Sequence, residues 1–277
     1  ARDIDPITFA VIKNGLDAIV DEMAYDVVRT ARSEIVKDVM DFSAAICDTT
    51  GSMIAQAKTI ALHLGAVPEA MGVVLDHYGD NLVPGDAVIL NDPYQGGMHL
   101  PDIYVFKPIF VGGEPQAVAI ALNHFSDLGG GVAGSMAHDS KEIFAEGLRI
   151  PPIKLYEAGK LNEAIFKILE VNVRVQRIIV GDLRALVGAC NGAEGRFVGV
   201  MDHYGIETTG LLMEELLNHS EELARAEIRS WPDGTYNFTD YVDDDGVDKN
   251  PIKIQVSLTV NGDTVNVDFA GTSSQRK

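Results

Sequence analysis

The sequence predicts an α+β fold of mixed, mainly antiparallel sheets, with a long N-terminal helix and a helical middle segment. Three observations carry that expectation. Apolar residues Phe9, Ile12, Leu16, Val20, Met23 and Val27 recur at helical spacing. Two apolar runs flank Gly112-Gly113 as the arms of a hairpin would. Residues 162–222 are strongly helical before the chain returns to strand-like segments.

Taken in order, Asp5 followed by Pro6 gives an N-cap with proline at the first helical position. The helix that follows is expected to reach about Asp38, with Lys13, Asp17, Asp21 and Glu22 on its solvent face. FSAAICD and SMIAQA form a short hairpin about Thr49-Thr50-Gly51, and residues 67–79 form a second helix. DAVILND is a buried strand. IYVFKPIF and PQAVAIALNHF pair across Gly112-Gly113, which puts Asp102 opposite Asn123, one step from His124. KEIFAEGLRIPPIK resembles a short helix ended by its proline pair. GTYNFTDYV, PIKIQVSLTV and TVNVDF are strands, the last two joined at Asn261-Gly262 by a type I′ turn. The weakest point in the pattern, near residues 155–162, divides the chain into an α+β part over 1–160 and a helical, then stranded part over 161–277. No element closes the final strand, which predicts that the native chain continues.

Composition narrows the function. A formal charge of −19 repels nucleic acid and anionic membrane surfaces, and it suits a site that concentrates cations. No apolar run approaches the ~20 residues that span a bilayer. The acid-bearing N-terminus is no signal peptide. Cys47 and Cys190, far apart in apolar sequence, are expected as buried thiols of a cytoplasmic protein.

The chemistry gathers on NDPYQGGMHLPD, Asn91 to Asp102, where turn formers alternate with potential ligands. His99 and Asp102 stand three residues apart across Pro101, and the hairpin brings His124 to the same sheet edge. Imidazole and carboxylate donors converging on one point are what a metal site requires. A fourth oxygen donor is open between Asp92, on the same loop, and Asp41, where the first helix gives way to a strand. His63, His77, His203 and His219 are read as ordinary histidines, His63 being the more suggestive for its loop position. The loop Gly129-Gly130-Gly131, with Ser135 close behind, could turn backbone N–H groups toward an anion, although it has no Walker A sequence. Asp243-Asp244-Asp245-Gly246 lacks EF-hand spacing and reads as a solvated turn.

DFSAAICDTTGSMIAQA, NDPYQGGMHLPD, ALNHFSDLGG and EIFAEGLRIPPIK, in this order, together with GDLRALVGACNGAEGR, resemble the hydantoinase B family. That family includes N-methylhydantoinase B, the C-terminal half of oxoprolinase, and subunits of the acetone and acetophenone carboxylases. The resemblance covers Asp5 to the end, and the chain corresponds to the N-terminal half of the longer members. It implies four metal ligands, Asp41, His99, Asp102 and His124, and so chooses Asp41 over Asp92. Two nitrogens and two oxygens suit zinc and also accept manganese or iron.

What the resemblance further implies is an enzyme working in a hetero-oligomer, such as α2β2, with a HyuA-like partner of the actin-like ATPase class. ATP with Mg2+ in that partner would phosphorylate the substrate, and the hydantoinase B chain would complete the reaction. The outcome would be hydrolysis of a hydantoin, lactam or 5-oxoproline, or carboxyl transfer to a ketone as in the acetone type. A metal that only staples loops in a structural assembly subunit is the non-enzymatic alternative. Asp127, Glu142 and Glu146 are candidate bases. Arg149 is a candidate contact for a carboxylate or phosphate, as are Gly129, Gly130, Gly131 and Ser135 for the phosphorylated group.

Overall fold

The computed structural model describes residues 5–276; the chain ends that the expected 1–160 and 161–277 division includes lie outside that range. The fold is α+β, with mainly antiparallel sheets. By contacts the described residues form two compact units, one of residues up to Met136 with Phe144–Met213, the other of Ala137–Ile143 with the residues from Glu214 onward.

In the first unit, α1 (Pro6–Thr30) starts as expected, the Asp5 carboxylate accepting hydrogen bonds from the backbone N–H groups of Ile7 and Thr8. It stops well short of Asp38. Asp182 accepts hydrogen bonds from the N–H groups of Arg32 and Ser33, and Ser33 caps a separate turn, α2 (Glu34–Lys37). Those side-chain bonds satisfy backbone donors that would otherwise continue the helix.

Next come β1 (Phe42–Cys47), β2 (Met53–Gln56), α3 (Ala61–Leu64), α4 (Val67–Tyr78), β3 (Ala87–Leu90), β4 (Asp102–Val111) and β5 (Glu114–His124). β6 (Ile153–Glu157) and β7 (Lys160–Leu161) complete a seven-stranded sheet in the order β2-β1-β5-β4-β3-β6-β7. β6 corrects the helix expected from KEIFAEGLRIPPIK. Only a 3-10 turn forms, at Ile143–Ala145. Ile150 then bonds to Asn91 through its N–H and carbonyl, and the chain beyond Pro152 pairs with β3. Prolines cannot donate to a continuing helix, and the strand edge was available.

The sheet's two faces are set by strand alternation. Ala45, Cys47, Val88, Leu90, Tyr104, Phe106, Val118, Ile120 and Leu122 bury against α3 and α4, whose Leu64, Val67, Ala70, Met71 and Val74 complete that core. The opposite face of β4 and β5 meets α6 (Gln176–Tyr204), where buried Lys107 pairs with Glu194 at 3.2 Å. α1 packs on α6, and α5 (Glu163–Asn172) flanks it. Burial pushes the thiols of Cys47 and Cys190 up to about 12, which leaves both as protonated core residues.

α7 (Ile206–Arg229) runs through the division between the units. In the second unit β8 (Gly234–Val242), β9 (Ile252–Asn261) and β10 (Thr264–Asp268) make an antiparallel sheet. Asn261 pairs with Thr264, so Gly262 and Asp263 form the tight loop, one residue later than the Asn-Gly turn predicts. The acidic turn is closed on itself, Asp245 Oδ1 accepting from the N–H groups of Val247 and Asp248.

Candidate metal centre

Three neighbouring strand ends create the site. β1, β5 and β4 lie side by side, with Phe42 opposite Asn123 and Asp102 opposite His124. The expected partner of Asp102 was Asn123. At the turn the expected register holds, Phe110 facing Pro115, but a bulge between Ile109 and Phe110 shifts every later pair by one. Pro115 has no N–H to give the ladder, and the chain accommodates the gap by an extra residue. The shift brings His124 directly across from Asp102, on the face that carries Tyr104 and Leu122.

Alternation on β1 puts Ser43 and Asp41 on that same face as Ala45 and Cys47. The His124 N–H donates to the Asp41 carbonyl, which fixes Asp41 beside the pair. Met40, just before it, has φ 61°, a left-handed conformation that a non-glycine residue adopts at a cost of about 1 kcal/mol or more and that re-aims the chain at this point. On the other side, the Asp102 N–H donates to the His99 carbonyl across a tight turn that includes Pro101.

The resulting donor geometry is compact. Donor atoms of His99, Asp102 and His124 lie within 4.8 Å of one another. His124 Nδ1 is 3.6 Å from Asp102 Oδ1, and His99 Nδ1 is 2.9 Å from Asp102 Oδ2. Yet His99 Nδ1 and Asp102 Oδ1 are buried polar atoms without a hydrogen bond among the described residues. Burial would push the Asp102 carboxyl upward, but the imidazoles of His124 and His99 outweigh it and hold the group below the usual carboxylate range. The Asp102 carboxylate in turn raises His99 above the ordinary range. Orphaned donor atoms around a nearly inaccessible carboxylate fit a cation better than a closed hydrogen-bond network.

One residue of this cluster reads from the sequence as an ordinary histidine, although the most suggestive of the four. His63, on α3, is 5% exposed, with Nε2 3.4 Å from Asp41 Oδ1 and 3.9 Å from Asp102 Oδ2. Asp41 is thus joined to the cluster through His63 as well as through its backbone. The available signal was the alternation that puts Ser43 and Asp41 on the α4 face, with a histidine in the turn leading to that helix. His77 and His203 stay on α4 and α6, each edge-on to the tyrosine that follows it, and His219 lies on α7.

The loop NDPYQGGMHLPD is braced from within. Buried Asn91 donates from Nδ2 to the carbonyls of Leu100 and Leu148 and accepts at Oδ1 from the Ile150 N–H. Asp92 caps the 3-10 turn Pro93–Gln95, accepting from the Tyr94 N–H and the Gln95 amide. Gly96 (φ 85°) and Gly97 allow close backbone packing. A Cβ on Gly96 would come within 2.6 Å of the Ala70 backbone, and one on Gly97 within 2.5 Å of the Asn91 carbonyl.

Asp127 has both oxygens engaged. They accept from the N–H groups of Gly129, Gly134 and Arg174 and from the Arg174 guanidinium at 2.9 Å. Burial would raise this carboxyl, but those N–H groups and the guanidinium prevail and hold it below the usual range. The same guanidinium donates to the carbonyls of Gly129, Gly130 and Val132. Gly131 N–H donates to Ala145, and Ser135 Oγ accepts from Leu128 while donating to Gly129. The glycine loop therefore wraps a carboxylate of its own chain. Glu146 is partly exposed on the segment laid against this loop, whereas Glu142 belongs to the second unit. Arg149 has its guanidinium 3.6 Å from Asp92 and over the rings of Phe144 and Tyr94, at 5.5 and 6.0 Å.

Sequence and fold comparisons agree on the class. The family model for hydantoinase B/oxoprolinase matches residues 5–277, and the chain belongs to that family. It is 35% identical over 264 residues to the beta subunit of the caprolactamase of Pseudomonas jessenii, covering 95% of this chain and 45% of that one. It is 31% identical to the B subunit of a putative D-/L-hydantoinase of Pseudomonas sp. (strain NS671), covering 99% and 48%. The chain thus spans about half the length of these relatives. The crystal structure of the ATP-dependent caprolactamase from Pseudomonas jessenii superposes with a TM-score of 0.91 at 34% identity, covering 96% of this chain and 46% of that one. A nucleotide-free acetone carboxylase shares the fold, with a TM-score of 0.91 at 23% identity over 98% of this chain and 38% of that one.

Proposed function

We propose that this chain carries the metal centre of an ATP-dependent cyclic amidase, acting on hydantoins, lactams or 5-oxoproline. The observation that carries the reading is the orphaned donor cluster of His99, Asp102 and His124, with Asp41 beside it, in a chain similar to one component of a caprolactamase. Asp41, His99, Asp102 and His124 would hold zinc, or manganese or iron in its place. Such a cation would act as a Lewis acid and would lower the pKa of a water near it.

An unstrained lactam is a poor electrophile, which is why a partner is part of the proposal. A HyuA-like ATPase with ATP and Mg2+ phosphorylates the amide oxygen, in a cytoplasmic hetero-oligomer with this chain. The relatives' names, each that of one component of a larger enzyme, support a partner subunit, and the ATP dependence of the similar Pseudomonas jessenii caprolactamase supports its being the one that uses ATP. Within this chain, Arg149 offers an exposed guanidinium to a carboxylate or phosphate, and the bracing by Asn91 holds its backbone against the ligand loop. Asp127, Gly129, Gly130, Gly131 and Ser135 scaffold that region rather than grip the substrate. Glu146 is the better-supported proton acceptor within this unit, since Asp127 is fully engaged.

Reconstitution with the ATPase partner tests this. ATP-dependent ring opening of a lactam or hydantoin, abolished in His99→Ala, is the expected result. ATP turnover that requires bicarbonate and a ketone instead would overturn it in favour of a carboxylase.

A further inference from the structure

The stretch GDLRALVGACNGAEGR, Gly181 to Arg196, carries part of the family resemblance, yet neither the metal cluster nor the ligand loop uses it. Its first residues, on α6, form one wall of a cavity of about 580 Å³. Arg177, Gly181, Arg184 and Gly188 recur at helical spacing and so share a face of α6. The end of α1 contributes Thr30, the segment just beyond it Arg32, and α5 contributes Glu170. Small-molecule sites run from about 300 to 1,000 Å³, so the volume suits one. None of the lining residues belongs to the candidate metal centre.

Charge sets this cavity apart. The chain has 41 acidic residues against 22 basic ones, so an arginine readily finds a carboxylate. Arg149, Arg174, Arg196, Arg225, Arg229 and Arg276 each do. Arg32, Arg177 and Arg184 have no ion pair among the described residues, and all three line the cavity. Glu170 is the one carboxylate in its wall, which leaves the site positive in a strongly negative chain.

The arginines are positioned by their surroundings. The Arg32 N–H donates to buried Asp182. The Arg32 side chain crosses α6 at Gly181, where a Cβ would overlap it. The Arg184 guanidinium lies over the Phe166 ring at 5.5 Å, a contact that orients its planar fork. Val175 supplies no capping side chain to α6, so the first N–H groups of that helix add partial positive charge beside Arg177. At Gly188 the groove stays open, nothing standing within 4 Å of the place a Cβ would take.

We propose that this cavity binds a phosphate group through Arg32, Arg177 and Arg184. A monocarboxylate presents two oxygens and one charge, which a single bidentate guanidinium satisfies. A phosphate monoester presents three oxygens and about −1.5 to −2 charges at neutral pH, which matches three guanidiniums offset by one glutamate. Glu170 then serves as acceptor for a hydroxyl of the ligand. The net negative charge of the chain repels extended polyanions, whereas a small ligand inside the groove meets the local arginines.

Titration calorimetry of the purified protein at low ionic strength tests this, with inorganic phosphate, ribose 5-phosphate and succinate as probes. The two phosphates should bind at one site and succinate more weakly. Arg184→Gln and Arg32→Gln should each weaken phosphate binding by about tenfold or more. Both side chains are exposed, so both variants should melt within a few degrees of the wild type. Tighter binding of ribose 5-phosphate than of inorganic phosphate, with the difference lost in Glu170→Gln and in Gly188→Leu, supports an organic phosphate as the ligand. Equal affinities support free phosphate at the same arginines. A wild type that binds neither phosphate, that binds succinate as tightly, or whose binding survives both arginine substitutions would overturn the proposal. The wild-type titrations need no variant, so a misfolded variant would not rescue it, and none of these results bears on the metal centre.

Discussion

Asp127→Asn separates a scaffolding carboxylate from a catalytic one. The native carboxylate accepts four hydrogen bonds, three from backbone N–H groups and one from the Arg174 guanidinium. An asparagine amide presents hydrogens to at least one of those donors, and it leaves the guanidinium without a counter-charge. Hydrogen bonds to charged groups are worth about 1.5–3 kcal/mol each, and removing one partner of a buried pair costs about 3–5 kcal/mol. Arg174 is 43% exposed, so solvent recovers part of that loss, and about 2–4 kcal/mol remains. The melting temperature should fall by roughly 5–15 °C.

Arg174→Ala should cost a similar amount, and the double variant less than the sum of the two by about 1 kcal/mol or more, because the residues share one network. The pH dependence has a definite sign. The folded-state pKa of Asp127 is depressed, so its contribution is fully present above the ordinary carboxylate range and disappears as pH falls through the lower folded value. Asp127→Asn should therefore lose stability at neutral pH and show a flatter acid limb. Urea unfolding at several pH values measures both. A variant with wild-type stability but no ATP-dependent turnover would refute the scaffold assignment and return Asp127 to the role of base.

Two further outcomes follow from the ligand loop. Asn91→Ala strands the Ile150 N–H and the carbonyls of Leu100 and Leu148, and should lower stability by about 2–4 kcal/mol in urea unfolding, with weaker metal retention as His99 loosens. Gly96→Ala forces a Cβ against the Ala70 backbone at φ 85° and should destabilise by more than about 1 kcal/mol, measured by thermal melting.

Much of this was legible in the sequence, for identifiable reasons. Strand alternation and the helical spacing of α1 and α6 are local patterns that burial preserves. The proposed ligands were approached from both sides, through the hairpin for Asp102 and His124, which the structure brings together with His99, and through family resemblance for Asp41, which lies beside them. What escaped depended on side chains distant in sequence. Asp182 ends α1 from 150 residues away, and Arg174 fills the glycine loop from 47 residues beyond Asp127. Pro115 moved the hairpin register by one through a bulge, and that single step turned His124 from a neighbour of Asp102 into its direct partner. His63 was hidden because no spacing rule relates a short turn before α4 to the open end of β1. The glycines of NDPYQGGMHLPD admit the backbones of α4 and Asn91, a close approach that no local pattern announces.

The central claim is that this chain holds a catalytic divalent cation on His99, Asp102, His124 and Asp41. Elemental analysis of the purified protein alongside His99→Ala and Asp102→Ala addresses it directly. Close to one equivalent of zinc, manganese or iron is expected in the wild type and near-complete loss in both variants, with Asp102→Ala the more severe because its carboxylate faces the imidazoles of His99, His124 and His63. A wild type without stoichiometric metal, or variants that keep it in full, would contradict the account.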